Sequence, residues 1–206
     1  MTDAAPTPGA PQPGAFDMRL LEPARGKRIL VCLTGGIAAY KTCTIVSRLA
    51  QAGANVHVAM TESATRFVTP LTFQALSANP VYTSAWDHIE SKDPQHVSLA
   101  RDADLVLVAP CTMDCMARLA HGLTDDVVTL IISAVDRAKT PVLLAPAMNA
   151  AMWGQPSTQR NLATLLADGF KTIGPGTGWQ ACRTVGEGRM TEPEEILRVV
   201  AQTLRA

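Results

Sequence analysis

The sequence predicts an α/β fold in which a parallel β-sheet lies between two layers of helices. Apolar runs of strand length alternate along the chain with segments of helical periodicity, and such alternation is typical of parallel strands joined by crossover helices. Of the 206 residues, 47% are hydrophobic but only 4% are aromatic, as expected where small aliphatic residues fill strands buried on both faces. We therefore expect one domain, a Rossmann-like (flavodoxin-like) three-layer sandwich with about six parallel strands.

Four strands are clear because each is a short apolar run bounded by charged residues, glycine or proline. They span residues 28–33, 55–60, 103–110 and 141–146. A fifth, shorter strand is expected near residues 170–173. Helices are predicted between and after the strands, with apolar residues at helical spacing up to Gly53 and then over 69–77, 114–121, 125–137, 155–168 and from Pro193 onward.

The N-terminal 25 residues differ in composition from the rest of the chain. They are rich in proline, alanine and glycine, and such a segment buries too little apolar surface to fold alone. We expect a flexible tail over residues 1–25, ordered only where Phe16, Met18, Leu20 and Leu21 meet a neighbour, and a single domain over 26–206.

Charge and cysteine content argue against several classes of protein. Lysine plus arginine equals aspartate plus glutamate, 18 each, so neither nucleic acid nor a membrane surface is expected as a partner. No apolar run reaches the ~20 residues that span a bilayer, and the N-terminus has no signal-peptide pattern. The five cysteines form no disulfide framework, and Cys111 and Cys115 lack a second pair of ligands for a metal. A reducing, cytoplasmic location without a metal is expected.

Unusual sequences follow the predicted strands, at the edge where such sheets bind ligands. After the first strand, Gly35 and Gly36 let the backbone approach a ligand, and the following helix start favours a phosphate. The segment is neither a GxGxxG fingerprint nor a P-loop, since Tyr40 precedes Lys41. A plain tight turn remains an alternative interpretation.

The other strand ends carry polar side chains with two interpretations each. Thr61 and Ser63 could cap a helix or hold a phosphate or ribityl chain. Thr112 and Asp114 could cap the next helix or accept hydrogen bonds from a ligand ring. Asn149 stands among methionines and a tryptophan, where an amide needs a partner, either a helix N-terminus or a substrate carboxylate or amide.

Cys182 lies among five glycines between Gly174 and Met190. A glycine-rich loop can close over a ligand, so this thiol is a candidate proton donor. The alternative is a half-buried cysteine on an ordinary surface loop. His96, just before the third clear strand, is by itself more typical of a surface or satisfied core histidine.

Five segments carry a resemblance to a known family. They are TGGIAAYK, TESATRFVTP, HVSLARDADLVLVAP, APAMNAAMW and QACRTVGEGRM. In this order they resemble the flavin-containing cysteine decarboxylases, and the resemblance extends from about Lys27 to the C-terminus. It implies an FMN cofactor and a homo-oligomer, a trimer or a dodecamer of trimers with the flavin between subunits.

The resemblance also implies a substrate and a reaction. The substrate would be a small phosphorylated cysteine conjugate, 4'-phosphopantothenoylcysteine, decarboxylated to 4'-phosphopantetheine in coenzyme A biosynthesis. Oxidation of its thiol would give a thioaldehyde that accepts electrons as CO2 leaves, and the resulting enethiolate would then regain a hydride and a proton. A separate phosphopantothenoylcysteine synthetase is a further expected partner.

Residue roles follow from the same resemblance. His96 would be the catalytic base or electrostatic partner, Asn149 would hold the substrate carboxylate, and Cys182 would donate the final proton. Met148, Met152 and Ala181 would also contact substrate. The expected flavin contacts are Gly35, Gly36, Ile37, Thr61, Ser63, Phe67, Thr112, Met113, Asp114 and Ala147. The run from Thr112 to Cys115 departs from the serine–alanine–asparagine–threonine run of many relatives.

Three alternatives stay open. Relatives that decarboxylate the C-terminal cysteine of peptide antibiotics stop at the enethiol, and would not need Cys182 for a reducing step. Other family members are non-enzymatic, flavin-binding regulatory subunits that bind phosphatases, which loss of the histidine would favour, whereas His96 is present. Flavin prenyl transfer on a related fold is disfavoured by the presence of the glycine-rich loop that carries Cys182.

Overall fold

The apolar runs of the sequence form the strands of a central sheet in the computed structural model, which describes residues 16–86 and 94–205. The sheet has six parallel strands in the order β3-β2-β1-β4-β5-β6. Their bounds are β1 Arg28–Leu33, β2 Asn55–Met60, β3 Val81–Tyr82, β4 Leu105–Cys111, β5 Val142–Pro146 and β6 Lys171–Thr172. The expected Rossmann-like parallel sheet is confirmed.

Helices cover both faces of the sheet and complete three layers. Their bounds are α1 Ala39–Gln51, α2 Glu62–Thr65, α3 Pro70–Ser77, α4 Gln95–Asp102, α5 Met113–Ala120, α6 Val127–Ser133, α7 Ala150–Trp153, α8 Pro156–Ala167 and α9 Pro193–Thr203. One core joins the sheet to α1, α3 and α9 through residues such as Ile45 and Phe73. The other joins it to α4, α5, α6 and α8 through residues such as Met116 and Leu165.

The strand order reverses between β1 and β4. The chain leaves β1 toward β2 on one side, and β4 pairs with β1 on the other. Loops leaving two such strands diverge to opposite sides, so a crevice opens at their carboxyl ends. Over the two described ranges, no helix is both long and apolar enough to cross a bilayer.

Two segments differ from the sequence prediction. The helix expected over 125–137 spans only Val127–Ser133, because the Asp126 carboxylate accepts hydrogen bonds from the N–H groups of Val128 and Thr129 and starts the helix there. The glycine-rich loop contains an antiparallel hairpin of β7 Gly176–Trp179 and β8 Val185–Arg189. This hairpin forms a sheet of its own, separate from the central one.

The N-terminal boundary also differs. Met18–Ala24 forms a 3-10 helix, and Leu21 and Ala24 are fully buried in the core beside α9. Packed structure therefore begins before residue 26, because these two side chains are part of the core shared with α1 and α9. Residues 1–15 of the expected tail lie outside the described part of the chain.

Candidate active site

A cavity of about 950 Å³ lies at the carboxyl ends of β1, β2, β4 and β5, beneath the β7–β8 hairpin. Its volume is at the upper end of the range for small-molecule and cofactor sites. Its wall combines backbone-rich loops, methionines and polar side chains. Residues at the four strand ends are Thr34, Gly35, Gly36, Ile37, Thr61, Ser63, Thr112, Met113, Asp114, Ala147, Met148 and Asn149, and the hairpin adds Trp179, Gln180, Ala181 and Cys182.

The loop after β1 and the loop after β2 lie in close contact with each other. A Cβ built on Gly35 would lie 2.4 Å from the Cβ of Ser63, a distance that real Cβ atoms do not adopt. At Gly36 the nearest atom would be Thr112 Cγ2 at 3.5 Å, so a Cβ there would make an ordinary van der Waals contact. Only glycine lets the first loop pass so close to Ser63. The loop also precedes α1, whose N-terminal dipole favours an anion.

Buried hydroxyl contacts join the β1 and β4 loops. The Thr34 hydroxyl donates to the carbonyl of Pro110 at 2.7 Å and accepts from the N–H of Thr112 at 3.0 Å. Thr112 in turn caps α5 by accepting from the N–H of Cys115. Thr112 therefore caps a helix, and it also lines the cavity.

An ion-pair cluster forms one side of the cavity. Arg118 bonds to Asp114 at 2.8 Å and to Asp125. The Arg118 guanidinium lowers the pKa of the Asp125 carboxyl through their hydrogen bond. Two carboxylates share this one guanidinium, so this wall of the cavity is polar and carries a net negative charge.

Asn149 is held at the turn after β5. Its side-chain oxygen accepts from the N–H of Met152 at 2.9 Å and caps α7. On one side of the turn, Ala147 N–H donates to the carbonyl of Cys111, and on the other Met148 N–H donates to the carbonyl of Gly188. Asn149 is thus fixed between the end of β4 and the hairpin.

Cys182 lies at the tip of the hairpin, exposed to solvent and on the cavity wall. Its sulfur is 3.0 Å from the hydroxyl of Thr184 and 3.6 Å from Oε1 of Gln180. Hydrogen bonding to Thr184 is the main cause that lowers the pKa of the thiol, with a smaller contribution from the Asn149 side chain. The tip is tight, and Arg183 has a positive φ of 66°.

The other four cysteines are less accessible. Cys32, Cys111 and Cys115 are buried and Cys43 is partly buried. A hydrogen bond to Cys111, together with burial, raises the pKa of the Cys115 thiol, which suppresses thiolate reactivity. In the two described ranges, no cluster of three or more histidine, cysteine, aspartate or glutamate side chains could hold a metal ion.

Lys41 is a cavity residue whose role sequence reasoning missed. It is 7% exposed and bonds to the carbonyl of Met190 at 3.1 Å and to Glu192 at 3.0 Å. Glu192 also pairs with Arg189 of β8. Lys41 therefore ties α1 to the base of the hairpin. One indication of this role is present in the sequence: Lys41 is a cation that follows the glycine loop, and no P-loop motif explains it.

Most residues expected at the site are brought together. Gly35, Gly36, Ile37, Thr61, Ser63, Thr112, Met113, Asp114, Ala147, Met148, Asn149, Met152, Ala181 and Cys182 line one cavity. Within the described part of the chain, the cavity wall includes neither His96 nor Phe67. His96 is half-buried in the first turn of α4, and Phe67 is 49% exposed after α2.

Comparisons with known proteins agree with this geometry. The family model described as Flavoprotein matches residues 18–205. The coenzyme A biosynthesis bifunctional protein CoaBC of Bacillus subtilis (strain 168) is 47% identical over 173 residues, which is 84% of this chain and 42% of that protein. The chain thus spans about two fifths of the length of this relative.

Two solved structures are similar over nearly their whole length. A cysteine-to-serine mutant of PPC decarboxylase, complexed with pantothenoylaminoethenethiol, has a TM-score of 0.80 and 31% identity, covering 88% of this chain and 100% of that one. The FMN binding protein AtHal3 has a TM-score of 0.74 and 31% identity, covering 86% and 96%.

Proposed function

The chain belongs to the flavoprotein family, and from this premise we propose that it catalyses the FMN-dependent decarboxylation of 4'-phosphopantothenoylcysteine to 4'-phosphopantetheine in coenzyme A biosynthesis. The observation that carries the proposal is one cavity shared by an exposed thiol of lowered pKa, Cys182, and a fixed amide, Asn149. The similarity to a PPC decarboxylase and to CoaBC supports this choice of substrate.

The residues present fit FMN. The crevice at the strand-order reversal between β1 and β4 is where doubly wound sheets take nucleotide-like ligands, and its volume of about 950 Å³ admits both a flavin and a substrate. The glycine loop on the cavity wall and the α1 N-terminus that follows it suit the phosphate. Thr61, Ser63 and Thr112 offer hydroxyls, and Met113 and Ala147 offer apolar contact for a ring. When bound, FMN supplies a two-electron acceptor that later returns those electrons, so no external oxidant is consumed.

Asn149 and Cys182 would act at successive stages on the same substrate. Because Asn149 Oδ1 is occupied by the N–H of Met152, its amide NH2 is the group left to donate to the substrate carboxylate. Met148 and Met152 flank it with flexible apolar side chains. After CO2 has left, the Cys182 thiol would donate a proton to the substrate carbon that carried the carboxylate. A placed acid of this kind contributes about 10²–10⁴ to rate.

His96 would reach the reaction from a second copy of the chain. The residue lies on α4, away from the cavity wall of its own chain as described. A homo-oligomer, a trimer or a dodecamer of trimers, would join the α4 of one subunit to the cavity of the next. Mixing His96→Asn chains with Cys182→Ser chains tests this arrangement. Mixed oligomers that regain part of the activity lost by each variant alone would support it, and no recovery in verified mixed oligomers would contradict it.

The name of the bifunctional relatives suggests where the substrate comes from. The Bacillus subtilis CoaBC protein is more than twice as long as the matched region, and we propose that a phosphopantothenoylcysteine synthetase, as a further domain or a separate protein, makes the substrate used here. Sedimentation of this chain together with such a synthetase would measure any association between them.

A substrate comparison tests the proposed function. The purified, flavin-loaded chain is given 4'-phosphopantothenoylcysteine or a peptide ending in cysteine, and CO2 and the thiol product are quantified. The proposal expects CO2 and a saturated thiol from the phosphorylated conjugate. Preferential release of CO2 from the peptide, with an enethiol as product, would indicate a peptidyl-cysteine decarboxylase instead. No CO2 from either would indicate a binding subunit.

A further inference from the structure

Gln180 is a buried side chain in an exposed hairpin. Between Gly176 and Arg189, only Gln180 and Gly188 are buried, and Gln180 is 7% exposed. Its neighbour Trp179 is 62% exposed. Apolar packing therefore contributes little to holding the hairpin tip, and the Gln180 amide connects the tip to the 148–150 turn.

That amide contacts three separate segments. Its Oε1 accepts from the N–H of Ala150 at 3.1 Å, and its Nε2 donates to the carbonyl of Glu187 at 3.1 Å and more weakly to those of Gly186 and Met148. Oε1 also accepts from the Cys182 thiol at 3.6 Å. Since Met148 and Ala150 stand on either side of Asn149, one side chain connects both flanks of Asn149 with the sulfur of Cys182.

The hairpin backbone passes close to the 148–150 turn beside this amide. A Cβ built on Gly188 would lie 2.6 Å from the carbonyl oxygen of Met148 and 3.3 Å from Gln180 Nε2, and one on Gly186 would lie 2.6 Å from the Cβ of Ala150. The hairpin strand thus approaches the 148–150 turn closely at two glycines. The amide hydrogen-bonds backbone groups on both sides of this approach, the N–H of Ala150 and the carbonyl of Glu187.

We propose that Gln180 is a positioning residue that sets the separation between Asn149 and Cys182, so that the proton reaches the substrate carbon before the enethiol departs. The inference rests on the proposed function. In the step concerned, the S–H bond of Cys182 breaks and a C–H bond forms at the carbon that lost CO2. The returned hydride adds to the neighbouring carbon that bears sulfur, and the Cys182 thiolate recovers a proton from water.

Loss of Gln180 therefore affects the two halves of the reaction differently. Oxidation and CO2 release depend on the substrate carboxylate at Asn149, which keeps its own cap to Met152. Proton delivery depends on the hairpin tip, which loses the contacts of Gln180 to Ala150 and Met148. A misplacement of about 1 Å can reduce a rate on the order of 100-fold, so the enethiol would dissociate before it is reduced.

The test compares Gln180→Leu with wild type in the flavin-loaded protein. Flavin content, the rate of anaerobic flavin bleaching by 4'-phosphopantothenoylcysteine, and the ratio of enethiol to saturated thiol are measured for each. We expect bleaching within about threefold of wild type and an enethiol fraction raised by about tenfold or more. The matched control is Gln159→Leu in α8. It removes the hydrogen bond that the Gln159 side-chain amide donates to the carbonyl of Trp153, and it should leave the product ratio unchanged.

A second variant tests the same contact in case Gln180→Leu does not fold. Ala150 is the first residue of α7, a position that accepts proline. Ala150→Pro therefore removes the N–H that donates to Gln180 Oε1, while the Gln180 side chain stays in place. We expect the same direction of change with smaller size. A wild-type product ratio in both variants would overturn the inference, as would equal losses of bleaching and of both products. Wild-type protein that shows no bleaching at all would overturn the proposed function itself, and the inference with it.

Discussion

The loops after β1 and β2 approach each other closely, which makes Gly35→Ala an informative perturbation. The added Cβ would lie 2.4 Å from Ser63 Cβ and 3.1 Å from Ser63 C, whereas carbon atoms in contact normally stand about 3.5–4.0 Å apart. Backbone must therefore move by about 1 Å, and the loop that moves is the one proposed to hold the phosphate of FMN.

Overpacking of this kind costs about 1–3 kcal/mol. In a chain of this length each kcal/mol lowers Tm by about 2–4 °C, so Gly35→Ala should lower Tm by about 2–12 °C. The same shift weakens FMN binding, since each 1.4 kcal/mol is about a tenfold change in affinity. Gly154→Ala serves as the control, because its added Cβ would meet nothing closer than 3.5 Å.

The assay combines thermal denaturation with the ratio of flavin to protein absorbance. Ser63→Gly in the Gly35→Ala background removes the nearer clashing atom but not Ser63 C, so part of the lost Tm should return. A Gly35→Ala protein with wild-type Tm and flavin content, or a double variant no more stable than the single one, would refute the reasoning.

Three further predictions concern the hairpin and its anchor. Cys182→Ser should still release CO2 but form saturated thiol at least about 100-fold more slowly, as product analysis would show, and a wild-type rate would remove Cys182 from the mechanism. Thr184 lowers the pKa of the Cys182 thiol, and only the protonated thiol donates; the yield of saturated thiol should therefore fall as pH rises through that lowered pKa. Thr184→Val should move this fall to higher pH in a product-ratio profile, and an unmoved profile would contradict the assignment. Lys41→Met leaves a buried carbonyl without its donor and should lower the free energy of unfolding by about 1–3 kcal/mol. In urea denaturation the exposed Lys139→Met should change stability by less than about 0.5 kcal/mol, and equal effects of the two would contradict the buried anchor.

The strands were the most predictable part of the fold. The apolar run of β1 and that of β2 match the structure residue for residue, because strands buried on both faces leave a continuous hydrophobic signal. By contrast β3 has two residues, Val81–Tyr82, and exists because β2 pairs with it. The hairpin strands are polar and glycine-rich, so their pairing left no periodic signal.

The candidate site was predictable where it depends on single loops. Asn149 and Thr112 follow strands, and both meet the cavity while capping helices. Gln180 and Lys41 were missed, because their roles arise from contacts with segments distant in sequence, such as Lys41 with Met190. His88 lies outside the described residues.

The most direct measurement of the central claim is the visible spectrum of the purified flavin-loaded protein, mixed with 4'-phosphopantothenoylcysteine in the absence of air. The account predicts that the flavin band bleaches as substrate is oxidised and recovers as product forms, with one CO2 and one saturated thiol for each substrate consumed. CO2 release with an unchanged flavin band in rapid-mixing records, or no reaction of the loaded protein, would contradict it.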